Sequence, residues 1–253
     1  MEKSQSKVAL ITGANKGIGL ETARGLGKMG IAVIIGSRDL AKGEKAVKEL
    51  LADGVVSAQA FKLDVNSAED HQRVTDFIKK EFGKLDILVN NAGVVLEEAD
   101  FAAPGGFNTV TTLPPKVLRE TFETNFFNVV TLTQVLLPLI KKSAAGRIVN
   151  VSSILGSLTL HADKASPIYS AKAFAYDASK TALNAFTVHL AQALRETNIK
   201  VNSAHPGWVK TDLGGENATL ELSEGGKTSV ELATLPDSGP SGGYFHLGQA
   251  LPW

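Results

Sequence analysis

Residues 8–19 read VALITGANKGIG and join an apolar run to three closely spaced glycines. Val8–Thr12 has the length and apolar continuity of a strand that is buried on both faces. Gly13, Gly17 and Gly19 follow at once and lead into an amphipathic stretch. Glycine permits a tight turn and close approach of backbone N–H groups to a phosphate, and the following helix offers the positive end of its dipole. The stretch therefore predicts a strand–turn–helix unit that binds a dinucleotide pyrophosphate, although glycines at helix starts are also ordinary turn residues.

The rest of the chain repeats this alternation of short apolar runs and longer amphipathic stretches. The runs lie at Val8–Thr12, Ala32–Gly36, Ala58–Leu63, Ile87–Val89, Arg147–Val151 and Val201–Ala204. The amphipathic stretches lie near 18–29, 41–53, 67–82, 116–142 and 177–197. Such alternation predicts an α/β fold with parallel βαβ units in a doubly wound sheet, flanked by helices on both faces. Ligands of such sheets bind beyond the carboxyl ends of the strands.

Composition excludes several classes of function. The 253 residues carry 26 Lys and Arg against 26 Asp and Glu, so no charge excess predicts a nucleic-acid or membrane surface. Cysteine is absent, which excludes disulfides, and the histidines lack the spacing of metal ligands. The first residues hold too short an apolar run for a signal peptide, and the longest apolar stretch, at 129–140, is too short to span a bilayer. We therefore expect a soluble cytoplasmic protein without metal or nucleic-acid partner.

The end of the second strand should carry the residue that recognises the adenosine ribose. Residues 33–39 read VIIGSRD, so the small neutral Ser37 stands where an acid would select NAD, and Arg38 follows. Together with Lys16 in the glycine turn, Arg38 suits the 2′-phosphate of NADP. Arg38 could instead be a solvated loop charge, and Asp39 could be a helix N-cap or a ribose acid one step out of register. We expect NADP(H).

Seven motifs in a fixed order extend over nearly the whole chain. They are TGANKGIG at 12–19, LDV at 63–65, NNAG at 90–93, Asn125 within ETNFF, VSS at 151–153, YDASK at 176–180 and HPGWVKTD at 205–212. This set resembles the short-chain dehydrogenase/reductase family. The ending GPSGGYFHLGQALPW resembles that of the family's carbonyl reductases, where it forms the last strand. The resemblance implies one Rossmann-type domain over residues 1–253 with a mainly parallel, seven-stranded sheet.

The resemblance also implies roles for individual residues. The catalytic residues would be a tetrad, namely Asn125, Ser153, Tyr176 and Lys180. The cofactor would be bound by Gly13, Asn15, Lys16, Gly17, Ile18, Gly19, Ser37, Arg38, Asp64, Val65, Asn91, Ala92, Gly93, Tyr176, Lys180, Pro206, Gly207, Val209 and Thr211. The LDV motif would flank the adenine, NNAG would contact the ribose on the adenosine side, and HPGWVKTD would hold the nicotinamide.

The chemistry explains why such a tetrad is needed. Hydride transfer to a carbonyl builds negative charge on its oxygen, so the protein must supply a proton. Tyr176 and Lys180 share a helix face at i and i+4, and an ammonium nearby lowers a tyrosine pKa from its usual ~10. Ser153 would hydrogen-bond the carbonyl oxygen, and Asn125 would bind a water that links the lysine to solvent. The simpler alternatives are a turn serine, a satisfied core amide, a solvated lysine and a core aromatic. No glycine-flanked elbow surrounds Ser153, which disfavours a hydrolase.

Residues 168–180 read IYSAKAFAYDASK and offer two tyrosines as the acid. Tyr169 has its lysine at i+3, at Lys172, whereas Tyr176 has Lys180 at i+4 and opens an amphipathic stretch. Only the second spacing matches the family pattern. We therefore assign the acid to Tyr176 and place Tyr169 in an inserted wall of the substrate pocket.

Two segments near 94–114 and 154–175 are longer than is usual for the family and resemble insertions of carbonyl reductases. Both follow strand ends, so they should line the substrate side of the cleft. Candidate pocket residues are Trp208, Val94, Val95, Leu155, Tyr169 and Phe174, and core packing is the alternative for most of them. The second insertion could obstruct the helix pairing of tetrameric relatives, so we expect a monomer or a homodimer.

The expected activity is NADPH-dependent reduction of a ketone or an aldehyde, with Tyr176 as proton donor. The same tetrad also serves oxidation, so an NADP-linked alcohol or hydroxysteroid dehydrogenase is the alternative. A cofactor-sensing protein without catalysis is disfavoured, because family members of that kind lose the tyrosine or the lysine.

Overall fold

Eight strands form one sheet in the computed structural model, which describes residues 7–97 and 110–253. The strands are β1 Val8–Thr12, β2 Ala32–Ser37, β3 Ala58–Lys62, β4 Ile87–Asn90, β5 Arg147–Val151, β6 Lys200–Ala204, β7 Tyr244–His246 and β8 Gln249–Ala250. Their order is β3-β2-β1-β4-β5-β6-β7-β8. Neighbours from β3 to β7 pair in parallel, and β7 pairs with β8 in antiparallel fashion. The predicted doubly wound α/β architecture is confirmed.

The eighth strand corrects the expectation of seven. The chain turns back after β7 through Leu247 and Gly248, which both have positive φ, at 46° and 75°. Two such residues are characteristic of a tight type I′ hairpin turn, and His246 pairs with Gln249 across it. A Leu-Gly turn lacks the usual Asn-Gly or Asp-Gly signal, and β8 is only two residues long. The sequence pattern therefore did not reveal it.

Eight α-helices lie in the described ranges. They are α1 Gly17–Lys28, α2 Leu40–Ala52, α3 Ala68–Glu81, α4 Pro115–Phe122, α5 Asn128–Ile140, α6 Leu158–Ala162, α7 Phe174–Ala193 and α8 Lys227–Ala233. The helix expected over 116–142 is divided, because a π-helical segment, Glu123–Phe127, separates α4 from α5. None of the described helices is long and apolar enough to cross a membrane. Of the first predicted insertion, residues 98–109 lie outside the described ranges.

Two apolar clusters cover the two faces of the sheet. Side chains alternate along a strand, so β1 sends Ala9 and Ile11 to one face and Val8 and Leu10 to the other. Buried residues of α1, α2 and α8 cover the first face, and those of α3, α5 and α7 cover the second. Helices on both faces explain why the strands read as continuous apolar runs.

The order of the sheet reverses between β1 and β4. The chain builds outward from β1 through β2 to β3 and then crosses to β4, which pairs with the other edge of β1. A crevice at such a switch point is the usual ligand site of a doubly wound sheet. The turns that follow β1, β4 and β5 therefore meet at one place.

Candidate active site

The turn after β1 leaves the start of α1 open. Gly13 and Gly17 both have φ of 64°, a conformation that side chains rarely adopt. Lys16 at the N-cap makes no side-chain capping bond, and the first turn of α1 holds no acidic residue. A Cβ added at Gly17 would meet nothing nearer than a methyl of Thr211 at 3.9 Å. Backbone N–H groups at this helix start can therefore bind an anion.

Gly19 has a different role from the other two glycines. A Cβ there would lie 2.5 Å from Nδ2 of Asn91 and 2.9 Å from Cα of Ala14, so the site has room only for hydrogen. Asn91 Nδ2 donates to the carbonyl oxygens of Thr12 (2.8 Å) and Gly13 (3.2 Å). Asn91 therefore fastens the turn after β4 to the glycine turn. Its predicted contact with the adenosine ribose stays a prediction, as do those of its neighbours Ala92 and Gly93.

The end of β2 carries no carboxylate directed at a ribose. Ser37 is buried and its hydroxyl donates to the carbonyl oxygen of Asp39 at 2.7 Å. The Asp39 carboxylate accepts a bond from the backbone N–H of Lys42, so it caps α2, which is one of the two alternatives for this residue. Arg38 between them is exposed. Lys16 pairs with Asp212 from the segment after β6, and the hydrogen bond from Lys16 lowers the pKa of Asp212.

Hydrogen bonds between side chains and the backbone hold the turn after β3. Asp64 Oδ1 accepts from the N–H of Asn66 at 2.9 Å, and the N–H of Asp64 donates to Asp70. Val65 is buried, and its carbonyl oxygen bonds His71 Nε2 at 2.7 Å. The LDV motif is thereby held at the rim of the crevice, where contact with an adenine stays a prediction.

The four predicted catalytic residues meet at the ends of β4 and β5, and all are buried. Tyr176 and Lys180 lie one turn apart on α7, with Lys180 Nζ 5.6 Å from the centre of the tyrosine ring. Lys180 Nζ donates to the carbonyl oxygen of Val151 at 2.8 Å. The Ser153 hydroxyl lies close enough to the Tyr176 hydroxyl to lower the pKa of the tyrosine. The structure therefore brings the predicted acid, its lysine and the serine together.

Burial dominates the acid–base properties of this pair. It raises the pKa of Tyr176 to about 12, while the hydrogen bond from Ser153 lowers that pKa and the charge of Asp177 raises it. Burial also lowers the pKa of Lys180 to about 8. The tyrosine pKa in this cleft therefore lies above its usual value, against the expectation that Lys180 lowers it, because burial disfavours the phenolate.

Asn125 lies in the π-helical segment rather than in a continuous helix. Its Oδ1 accepts from the N–H of Val94, and its Nδ2 donates to the carbonyl oxygen of Val94, both at 2.8 Å. Nδ2 also donates to the Ser179 hydroxyl at 3.0 Å. These contacts fit the alternative of a satisfied core amide, and the water relay through Asn125 stays a prediction. π-Helical segments often occur at functional sites.

The segment after β6 forms the opposite wall. Gly207 has φ of 91°, and a Cβ there would collide with Leu220. Val209 forms a bridge with Leu220, and Thr211 Oγ1 accepts from the N–H of Gly214 at 3.0 Å. Nδ1 of the buried His205 accepts from Ile154 N–H at 3.2 Å. Contact of Pro206 and its neighbours with a nicotinamide stays a prediction.

The candidate pocket residues differ in exposure. Trp208, Tyr169 and Phe174 are exposed, whereas Val94, Val95 and Leu155 are half-buried. Trp208 Nε1 donates to the carbonyl oxygen of Gly214 at 2.8 Å. Tyr169 precedes α7 and lies under Lys172 Nζ, 5.3 Å from its ring centre. The first lysine of IYSAKAFAYDASK is thus used outside the helix, which supports Tyr176 as the acid.

Sequence reasoning missed a cluster at the start of α7. Glu97, three residues after Val94, accepts backbone bonds from Ala175 and Tyr176. Asp177 Oδ2 accepts from the N–H of Ala173 at 3.0 Å and lies 3.3 Å from His161 Nε2. With Ala173 at the N-cap and Asp177 at the fourth helical position, the sequence lacks the Ser/Thr-x-x-Glu pattern of a capping box, so no local pattern indicates Asp177. Nothing local indicates Glu97, because its partners lie 78 and 79 residues away.

A buried polar ladder was also missed. Asn90 Nδ2 donates to Thr133 (3.0 Å) and to Asn150 Oδ1 (2.9 Å), and Asn150 Nδ2 donates to Thr187 (2.8 Å). Thr187 in turn bonds Ser203 at 2.8 Å. These bonds tie β4, β5 and β6 to α5 and α7 directly below the site, and they fix the level of the strand ends.

Comparison with known proteins agrees with this geometry. A model of the short chain dehydrogenase family matches residues 7–221. The (−)-isopiperitenone reductase of Mentha piperita is 35% identical over 97% of this chain and 98% of its own length. The NADPH carbonyl reductase 1 of Homo sapiens is 32% identical over 97% and 98% of the two chains. The NADPH-bound carbonyl reductase from chicken fatty liver superposes with a TM-score of 0.82 at 28% identity, covering 98% of this chain and 100% of that one. The resemblance inferred from the motifs is confirmed: the chain belongs to the short-chain dehydrogenase family.

Proposed function

We propose that this protein reduces a ketone or an aldehyde and that Tyr176 donates the proton to the carbonyl oxygen. The protein is an oxidoreductase that acts on C=O or CH–OH groups, and its cofactor is NADP(H). The observation that carries the proposal is the buried Tyr176, which lies beside Ser153 and has Lys180 Nζ 5.6 Å from the centre of its ring.

The described cleft fits the charges of the cofactor. The uncapped start of α1 suits a pyrophosphate, and Arg38 and Lys16 suit a 2′-phosphate. Ser37 places no carboxylate at the end of β2, where an acid would repel that phosphate. When bound, NADPH supplies the hydride, and the remaining demands of the reaction fall on the side chains of the protein.

The tetrad geometry supports protonation of the carbonyl oxygen. With a pKa of about 12, Tyr176 carries its proton at neutral pH and can donate it. Ser153 lowers that pKa because it donates to the phenolate, so it stabilises the anion that remains after proton transfer. Lys180, with a pKa of about 8, is mainly protonated at neutral pH and lies beside the tyrosine ring, so it can stabilise the same anion.

Burial keeps Tyr176 in the protonated form that reduction requires. An NADP-linked alcohol or hydroxysteroid dehydrogenase is the second candidate, because the same tetrad serves both directions of the reaction.

The test is consumption of NADPH with a panel of aryl ketones and aldehydes. Tyr176→Phe should lower kcat by about 10²- to 10⁴-fold, because it removes the general acid, while NADPH binding is retained. Tyr169→Phe is the matched control at the predicted pocket wall and should change kcat far less. If Tyr176→Phe stays active while Tyr169→Phe is inactive, the acid is Tyr169 and our assignment is wrong. If the protein binds NADPH but reduces none of these carbonyl compounds, the proposed reductase activity is refuted.

A further inference from the structure

Glu97 is a buried carboxylate whose bonds go to the start of the helix that carries the catalytic tyrosine. Its Oε1 accepts from the N–H of Ala175 at 2.5 Å and from that of Tyr176 at 3.4 Å. Its Oε2 lies 3.3 Å from the same Tyr176 nitrogen. The carboxylate that accepts from the backbone N–H of Tyr176 therefore belongs to the segment after β4 and not to α7.

Helix α7 depends on this distant acceptor because its own N-cap is weak. Ala173 at the N-cap has no side chain that could accept a hydrogen bond. The first N–H groups of a helix have no partner within the helix, and here they are buried with the tyrosine. A carboxylate at this end also interacts favourably with the helix dipole. Glu97 and Asp177 together supply the hydrogen-bond acceptors that Ala173 lacks.

The segment that carries Glu97 is fixed to a second tetrad residue. Val94 exchanges two backbone bonds with the Asn125 side chain, both at 2.8 Å. Three residues later, Glu97 bonds the backbone of Tyr176. One short segment, running from the NNAG motif along the cleft, therefore connects Asn125 to Tyr176.

Burying Glu97 near a second carboxyl group is unfavourable, so stability alone does not explain its position. Glu97 is buried close to Asp177, and its charge adds to burial in raising the pKa of Asp177 to about 8. Ser at position 173 would cap the helix locally without bringing two carboxyl groups together. An arrangement that breaks a local rule in this way is expected where function requires it.

We propose that Glu97 is a positioning residue, which fixes the height and rotation of Tyr176 at the start of α7 and so sets its hydroxyl against Ser153. The inference rests on the proposed role of Tyr176 as the acid. A small displacement of a catalytic group can lower the rate by about 10²-fold without affecting binding. The function of Glu97 is therefore to accept hydrogen bonds from two backbone N–H groups, which an uncharged oxygen can also do.

Three variants separate this role from general stabilisation. Glu97→Ala removes the acceptor, Glu97→Gln keeps an oxygen acceptor without the charge, and Glu69→Ala removes an exposed glutamate from the first turn of α3 as the matched control. We expect Glu97→Ala to lower kcat by about 10- to 100-fold with KM for NADPH nearly unchanged. Glu97→Gln should recover most of that loss, and Glu69→Ala should match the wild type.

Amide hydrogen exchange on the protein without cofactor provides a second measurement that needs no activity. In Glu97→Ala, the amides of Ala175 and Tyr176 should exchange roughly tenfold faster or more, while those in the middle of α7 are unchanged. Any of three results would overturn the inference. They are a wild-type kcat in Glu97→Ala, an equal loss of kcat in Glu97→Gln and Glu97→Ala, and unchanged exchange at both amides. If Glu97→Ala does not fold, Glu97→Gln decides, since fast exchange or low kcat in that variant contradicts a role as acceptor. If the wild type reduces no carbonyl, the proposed function fails, and the exchange experiment still decides whether Glu97 holds the helix start.

Discussion

Two helices point their N-termini into the same crevice, and they treat that end in opposite ways. Helix α1 begins behind glycines, with no side-chain cap and no acid in its first turn. Helix α7 begins under two buried carboxyl groups, Glu97 and Asp177, which accept its first backbone N–H groups. Both ends carry the same partial positive charge. The first leaves that charge for an anionic ligand, and the second satisfies it with the protein's own acids so that a side chain is held in place.

A helix start can serve a site of this kind in two ways. An open start has N–H groups that a phosphate can reach, and it needs glycine because any side chain would fill the approach. A filled start fixes the position of the residues in its first turn, here Tyr176, the third residue of α7. Variants that add an acid to the open start of α1, or that disturb the contacts of either helix start, test these two roles.

The largest effect is expected from Gly19→Ala at the open start. The new Cβ would lie 2.5 Å from Asn91 Nδ2 and 2.9 Å from backbone atoms of Gly13 and Ala14, so the turn must move. Overpacking of this kind costs about 1–3 kcal/mol, and we expect the Kd for NADPH to rise by about 100-fold. Isothermal titration with NADPH measures the change.

Gly30→Ala is the control for that substitution. Gly30 follows α1 with φ of 80° and has no described atom within 4 Å of an added Cβ. Alanine there strains the backbone by about 1 kcal/mol and should lower the free energy of unfolding without affecting NADPH. Equal loss of NADPH affinity in both variants would show that Gly19 acts through overall stability and not through the turn.

The next effect concerns the filled start and depends on pH. Burial, followed by the charge of Glu97, raises the pKa of Asp177 from 3.8 to about 8, and its hydrogen bond from Ala173 lowers that pKa. Because the folded state holds the proton more tightly, this contribution to stability is complete below about pH 4 and is lost as the pH rises through about 8. Asp177→Asn mimics the neutral form, so it should become more stable than the wild type by on the order of 2 kcal/mol at pH 9.

Urea unfolding of Asp177→Asn at pH 5, 7 and 9 checks this expectation. The advantage over the wild type should grow with pH, while Asp76→Asn, on the exposed face of α3, should follow the wild type throughout. A constant difference between Asp177→Asn and the wild type over this range would mean that Asp177 is charged in the folded protein, and the description of the filled start would need revision.

A smaller effect follows from giving the open start an acid of its own. Asn15→Asp adds a carboxylate of nearly the same shape to the glycine turn, beside the uncapped N-terminus of α1. Repulsion of the pyrophosphate at an effective dielectric near 20 or above should weaken NADPH binding by about tenfold, while the free energy of unfolding stays equal or rises. Asn15→Ala separates loss of the amide from gain of charge. Binding by Asn15→Asp as tight as by Asn15→Ala would place the pyrophosphate elsewhere.

The open and filled helix starts differ in how far the sequence predicts them. The open start was predictable because its signal is local: three glycines between an apolar run and an amphipathic stretch. The six long strands were predictable for the same reason, since burial on both faces leaves continuous apolar runs. Tyr176 and Lys180 share a face at i and i+4, so their proximity also follows from the sequence.

The filled start could not be predicted, because its signal is distant. The predicted helix began at 177, whereas α7 begins at Phe174, since Ala173 gives no capping signal and Glu97 supplies it from 78 residues away. The π-helical segment depends on Asn125 bonding Val94, which is also a tertiary contact. The tyrosine pKa was mispredicted because sequence spacing shows the lysine but not the burial. Local chemistry is readable from sequence, and long-range polar contacts are not.

The smallest effect is expected at the rim of the open start, where Asp212 pairs with Lys16. Exposed ion pairs contribute about 0–1 kcal/mol, so Asp212→Asn should leave the free energy of unfolding nearly unchanged. A 2′-phosphate must compete with Asp212 for the same ammonium, so this variant should bind NADPH about twofold more tightly and NADH as before. Lys16→Ala combined with Arg38→Ala should weaken NADPH far more than NADH. Equal changes for the two nucleotides in either variant would show that these cations do not recognise the phosphate, and that the open start selects its ligand by the pyrophosphate alone.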